Sequence, residues 1–191
     1  MDDDWVKLRR FYDGDESAFS ELFNSYKLKL LRLAYRVVHD HQIAEDIAQE
    51  TLLKVYQKKV QINPRFKFFT WLYRVTLNSS LDHVRSRKFI QFFSFSSEHS
   101  DTTLPSAEEQ IPAPPPKFGE QLEDREISLK LHEAIKMLPE RLRLPLVLRH
   151  FECLGYAEVA QILQITPKAV ERRLAAAREK LKARLKNDKL F

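Results

Sequence analysis

Lys168, Glu171, Arg172, Ala175 and Glu179 recur at three- and four-residue intervals, so a helix carrying them would present one row of side chains suited to the edges of nucleobases. A guanidinium such as Arg172 can pair with guanine, a carboxylate such as Glu171 can accept from cytosine, and the methyl of Ala175 can sit against that of thymine. Arg173, Arg178 and Lys182 on the same stretch suit phosphate instead. From Ile165 onward nine Lys or Arg stand against three Asp or Glu, a balance that attracts a polyanion.

Two further groups carry chemistry of the binding kind. Arg74, Asn78, Asp82 and Arg85 share a stripe of one predicted helix, just after Phe66, Phe68, Phe69 and Trp71. Phe68, Trp71 and Leu72 are expected mainly in the core and Phe66 on the surface, where an aromatic ring can stack on an unpaired base for ~1–3 kcal/mol. Asp46, Gln49, Glu50 and Leu53 fall at i, i+3, i+4 and i+7, which makes an acidic strip with one apolar anchor, opposite Ile43, Ile47 and Val55. Such a strip ordinarily just meets water.

The residue types that catalysis needs are scattered or missing. Three glycines, Gly14, Gly119 and Gly155, build no phosphate-cradling loop, and no serine lies in a glycine-flanked elbow. His39 and His41 are the wrong distance apart to share a helix face, so no metal site or cofactor is expected. Cys153, the single cysteine, excludes an internal disulfide and a cysteine-rich zinc site and is expected to fill a core. A nuclease built on Asp46 and Glu50 would require metal-dependent DNA cleavage.

The elements that must position these groups are helices. Tyr156 to Leu181 spells a helix-turn-helix: Val159, Ile162, Leu163 and Ile165 seat the first helix, and Thr166 and Pro167 mark the cap and first residue of the second. Small Ala160, turn residue Gln164 and plug residue Val170 have the spacing of the DNA-reading form of that motif. Upstream, a helix from about Leu122 to Met137 would bury Ile127, Leu131, Ala134, Ile135 and Leu138. Another starts at Pro139 and is expected to kink at Pro145.

In the N-terminal part a short amphipathic piece, Trp5 to Tyr12, precedes a long helix whose apolar stripe is Phe19, Leu22, Phe23, Tyr26, Leu30, Leu33, Ala34 and Val37. Helices from Asp40 to Gln57 and from Thr70 to about Arg87 follow. The aromatic tract Phe89, Ile90, Phe92, Phe93 and Phe95 reads as a short strand or a greasy flap. Residues 91–122 hold five of the nine prolines and one lysine against five acids, which predicts a flexible acidic linker. Around it, residues 1–90 carry 16 basic and 12 acidic side chains and residues 123–191 carry 15 and 10, two basic lobes that could both touch nucleic acid. The expected fold is therefore all-α, with two small helical domains joined by a tether. The opening residues MDDDWVKLRR lack the apolar stretch of a secretory leader, and no run is long enough to enter a membrane, so a cytoplasmic protein is expected.

Three blocks in this order, GDESAFSELFNSY from Gly14, AEDIAQETLLKVYQ from Ala44 with FFTWLYRVTLNSSLDHVRSR from Phe68, and LPERLRLPLVLRHFECLGYAEVAQILQITPKAVERRLAAAREKL from Leu138, resemble the extracytoplasmic-function (ECF) branch of the sigma-70 family of bacterial RNA polymerase sigma factors. The resemblance implies a region-2 domain over 1–90, a linker over 91–122 and a region-4 domain over 123–191. It implies a non-enzymatic specificity subunit whose partners are core RNA polymerase, through the clamp helices of its largest subunit and the flap, promoter DNA, and an anti-sigma factor.

By the same resemblance Asp46, Gln49, Glu50 and Leu53 dock on the clamp helices. Asn63, Phe66, Arg74, Asn78 and Arg85, from the loop Ile62 to Lys67 and the helix after it, serve the non-template strand of the minus-ten element. Lys168, Glu171, Arg172, Arg173, Ala175 and Arg178 serve the minus-thirty-five element. The loop lacks the glycine common in the family, Gln164 replaces a frequent turn glycine, and Glu171 and Ala176 stand where basic residues are common. The rival reading is a stand-alone helix-turn-helix regulator acting without polymerase, which leaves the Asp46 strip and the helix after Trp71 without a purpose.

Overall fold

The computed structural model describes residues 2–57, 60, 63, 65–96 and 130–187, with the backbone alone from 88 to 96 and at Asn187. They form two compact units, each helical, and no strand occurs among them. The first holds α1 (Asp3–Tyr12), α2 (Glu16–Val38), α3 (His41–Tyr56) and α4 (Phe68–Ser96). The second holds α5 (residues 130–136), α6 (Glu140–Leu146), a π-helical turn (Val147–Phe151), α7 (Tyr156–Leu163) and α8 (Pro167–Asn187).

In the first unit α2 is the central helix, packed by α1, α3 and α4. Its apolar stripe recurs each turn, so Leu22, Leu30, Leu33 and Val37 are buried together with Leu8, Val55, Phe68 and Leu72 from the helices around it. Phe19 and Phe23 of the expected stripe are only half-buried at its edge. Caps define the helix starts: the Asp15 carboxylate accepts from Ser17 N at 3.0 Å, and that of Asp40 from Ile43 N at 3.1 Å. The Ser17 hydroxyl and Arg10 also donate to Asp15, and these two side-chain hydrogen bonds together hold the Asp15 carboxyl below the ordinary carboxylate pKa. Between α2 and α3, His39 takes the left-handed conformation at φ 57°, which turns the chain sharply.

The expectations around α4 change. The helix expected over 70–87 runs from Phe68 to Ser96, so the backbone of the tract 89–95 is helical and not a strand, and the first residues assigned to the linker are helical too. Helical hydrogen bonding propagates through Phe and Ile residues at a modest cost, below about 0.7 kcal/mol each, when no proline or glycine interrupts it, and none occurs between Phe68 and Ser96. The remaining linker residues, 97–122, and the start of the helix expected from Leu122, including Ile127, lie outside the described residues.

In the second unit Leu142, Leu146, Leu148, Val159, Ile162, Val170, Leu174 and Ala177 make the core. Ala134, Ile135 and Leu138 join it as expected, but Leu131 is exposed. Pro145 is buried inside α6, and the chain passes to π-helical bonding two residues later. Cys153 is exposed at φ 55° on the turn between that segment and α7, so it fills no core.

Candidate nucleic-acid interfaces

The helix-turn-helix forms as its spacing predicts. Thr166 Oγ1 accepts from Ala169 N at 3.2 Å and so caps α8 one residue before Pro167. Gln164 is left-handed at φ 55° and ends α7, after which Ile165 N donates to the Ala160 carbonyl at 3.0 Å. Ala160 and Val170 are buried where the two helices meet. At the other end of α7, Glu158 folds back to accept from Gly155 N at 2.9 Å.

This framework turns one face of α8 outward. Lys168, Glu171, Arg172, Ala175, Arg178 and Glu179 are all exposed, Arg173 is half-buried, and Val170, Leu174 and Ala177 point into the core. Leu181, expected with them, is half-buried. Among the described residues no ion pair engages Lys168, Arg172 or Arg178, so their charge is available to a ligand. Partial burial, then the positive charges of Arg178 and Arg149, lower the pKa of His150, which keeps that imidazole neutral beside the basic face. Arg149 itself is held, donating to the Leu154 carbonyl at 2.8 Å and lying over the Tyr156 ring.

The second interface is the entry to α4. Phe66 is 42% exposed, whereas Phe68 and Leu72 are buried and Trp71 is half-buried, stacked on Phe68 at an interplanar angle of 12°. Asn63, itself exposed, organises the turn: its side-chain oxygen accepts from Arg65 N at 3.1 Å and its carbonyl from Phe66 N at 3.2 Å. Along α4, Asn78 and Arg85 are exposed and Arg74 is half-buried, with Asp82 3.6 Å from Arg85. Phe66, Arg74, Asn78 and Arg85 therefore belong to one loop-and-helix unit.

The third surface is on α3. Asp46, Gln49, Glu50 and Leu53 are all exposed, Leu53 by 49%, while Ile47 and Val55 are buried and Ile43 is half-buried on the opposite side. Gln49 donates to Glu45 at 3.3 Å and Lys54 sits 3.0 Å from Glu50, both within the helix. These exposed pairs contribute little to stability, so the strip is not spent on holding the fold.

Sequence reading missed the side chains that hold the α4 entry from behind. Trp5 Nε1 donates to the Phe66 carbonyl at 2.6 Å, Asp2 accepts from Phe68 N at 2.7 Å, and Tyr12 OH donates to the Val60 carbonyl at 3.3 Å. No local pattern could have announced contacts spanning 48 to 66 residues. Among the described residues no group of His, Cys, Asp and Glu could hold a metal, and no helix is long and apolar enough to cross a membrane.

Comparison with known proteins adds independent findings. Residues 22–90 match the family model of Sigma-70 region 2, and residues 128–181 that of Sigma-70, region 4. The chain is 34% identical over 189 residues to the RNA polymerase sigma-H factor of Pseudomonas aeruginosa, covering 94% of this chain and 92% of that one. It is 31% identical over 185 residues to the ECF RNA polymerase sigma factor SigW of Bacillus subtilis, covering 95% and 96%. Among solved structures, CnrH in complex with the cytosolic domain of CnrY superposes with a TM-score of 0.69 at 21% identity, over 98% of this chain and 99% of that one. The sigma factor RpoE in complex with the anti-sigma factor NepR, from Bartonella quintana, gives 0.64 at 20% identity, over 88% and 96%. At those identities the two structures speak for the fold.

Proposed function

The chain belongs to the sigma-70 family of RNA polymerase sigma factors, as an ECF-type member, and from that premise we propose which surface performs each part of transcription initiation. Asp46, Gln49, Glu50 and Leu53 of α3 dock on the clamp helices of the polymerase largest subunit. Asn63, Phe66, Arg74, Asn78 and Arg85 engage the non-template strand of the minus-ten element once it is unpaired, with Phe66 stacking on a base. Lys168, Glu171, Arg172 and Ala175 read the minus-thirty-five element in the major groove, while Arg173 and Arg178 hold phosphates. Functional boundaries at 1–90, 91–122 and 123–191 complete the assignment, with the acidic linker threading the polymerase channel toward the RNA exit and region 4 meeting the flap.

The observation that carries this reading is the α3 strip. Four residues at helical spacing leave a leucine and three polar groups in water on a helix whose other side is core, and a DNA-binding regulator acting alone has no use for them. The protein has no active site of its own and works in the cytoplasm beside the polymerase. Because relatives of the same fold were solved with partners, one of them named an anti-sigma factor, an anti-sigma protein is a partner of this chain as well.

Transcription from promoter DNA by purified core polymerase, with and without the chain, tests the assignment. Promoter-specific transcripts are expected only when the chain is present. Specific binding to duplex DNA with no such transcripts would instead favour the stand-alone regulator.

A further inference from the structure

The first helix, α1, lies outside the span that matches region 2, which begins at residue 22, and it carries no residue facing DNA or polymerase in the assignment above. Yet three side chains, at its N-cap position, one turn on and at its last residue, reach across the unit toward the start of α4. Asp2 stands at the N-cap position of α1, where an aspartate ordinarily accepts from its own helix, but its carboxylate makes no such bond. It accepts instead from Phe68 N, the first residue of α4, at 2.7 Å. One turn on, the indole N–H of buried Trp5 donates to the Phe66 carbonyl at 2.6 Å, and the ring meets Phe68 edge-on at 5.1 Å. At the far end of α1, Tyr12 donates to the carbonyl of buried Val60 at 3.3 Å, and burial raises its pKa so that the hydroxyl keeps its proton. The three contacts therefore sit at Val60, at Phe66 and at the first turn of α4.

We propose that α1 is a brace for recognition of the opened strand, in which Asp2, Trp5 and Tyr12 are positioning residues that hold Phe66 and the start of α4 in the geometry that receives an unstacked base. The inference rests on the assignment of Phe66 to the minus-ten strand. Its physical reason is preorganisation: an exposed ring on an unanchored loop must be ordered on binding, and anchoring the backbone on either side removes that cost beforehand. Asp2 has a second effect. The N–H groups at a helix start attract phosphate, and a carboxylate on Phe68 N occupies that site, which leaves the strand to engage the loop through its bases.

Affinity of full-length chain bound to core polymerase for a fluorescent single strand, carrying the minus-ten non-template sequence of a promoter the holoenzyme opens, tests the brace. The variants are Trp5→Phe, which keeps the buried ring and deletes the donor, Asp2→Ala, Asp2→Asn, and Phe66→Ala as reference. Trp5→Phe and Asp2→Ala are expected to weaken strand binding about three- to tenfold, the size of one lost hydrogen bond, with core affinity and duplex minus-thirty-five binding unchanged. Asp2→Asn should restore part of the loss, since an amide oxygen still accepts from Phe68 N. Wild-type strand affinity in Trp5→Phe and Asp2→Ala, with loss in Phe66→Ala, overturns the brace and leaves the strand assignment standing. Wild-type affinity in Phe66→Ala removes the strand assignment and the brace with it. Equal loss of strand and core affinity in both α1 variants makes α1 a packing element only and overturns the proposal.

Discussion

Thr76 of α4 donates its hydroxyl proton to the Thr51 hydroxyl of α3 across 3.2 Å, at a point where both side chains are fully buried. Thr51 in turn donates to the Ile47 carbonyl at 2.9 Å, and Ser80 to that of Thr76 at 2.7 Å, so α3, with its proposed docking strip, and α4, with its proposed strand-reading stripe, are joined by a satisfied polar chain. Small side chains let the two helices approach, and each hydroxyl has a partner, as burial requires.

Thr51→Val keeps the shape and deletes the acceptor of Thr76. It is expected to destabilise the protein by about 1–2 kcal/mol in urea unfolding, the cost of leaving a buried donor unpaired. Adding Thr76→Val should cost less than the sum of the single changes, because the orphaned donor is then gone. Strict additivity would show that the two hydroxyls are not coupled.

Asp46→Arg with Gln49→Ala inverts a charge on an exposed helix face. Helicity by circular dichroism should stay the same while affinity for core polymerase falls at least about tenfold, since like charges meeting at an interface are strongly unfavourable. A titration giving wild-type affinity would remove α3 from the docking surface.

Asn78→Ala should impair promoter opening more than closed-complex formation, because contacts to an unpaired strand exist only after melting. Thymine reactivity to permanganate within the bubble is expected to fall severalfold at equal promoter occupancy. Normal reactivity would count against Asn78 as a base contact.

Arg172→Ala and Arg178→Ala are expected to fail differently. Loss of the bidentate base contact at Arg172 should cost ~1–3 kcal/mol on the preferred minus-thirty-five sequence and narrow its advantage over scrambled DNA. Loss of one phosphate contact at Arg178 should weaken all sequences alike and flatten the salt dependence by about one unit of slope. Binding at several salt concentrations separates the two, and unchanged sequence preference in both variants would mean that Arg172 does not read bases.

Gln164→Gly removes a side chain from a left-handed residue at φ 55°. Relief of the ~1 kcal/mol steric cost is offset partly by the freer unfolded chain, so a gain of about 0.5 kcal/mol in unfolding free energy is expected. A lower denaturation midpoint would show that the Gln164 side chain makes a contribution the backbone strain conceals.

Features that repeat along the chain were legible without coordinates. The stripe of α2, the cap at Thr166, the interval from Ala160 to Val170 and the outward strip from Asp46 to Leu53 each depend on residues within a few turns of one another, and helical geometry converts such spacing directly into a face. The all-α fold and the sigma-70 resemblance follow from that local information. Tertiary structure decided what depends on residues far apart: the pairing of Thr51 with Thr76, and the reach of Asp2, Trp5 and Tyr12 to Phe68, Phe66 and Val60. It also decided which apolar or thiol side chains stay uncovered, placing Leu131 and Cys153 on the surface against expectation, because burial depends on what another segment brings to that face and not on the side chain's own character. The course of α4 through 89–95 belongs to the same class, since a run of aromatic residues suits strand and helix alike, and here it continues the helix that begins at Phe68.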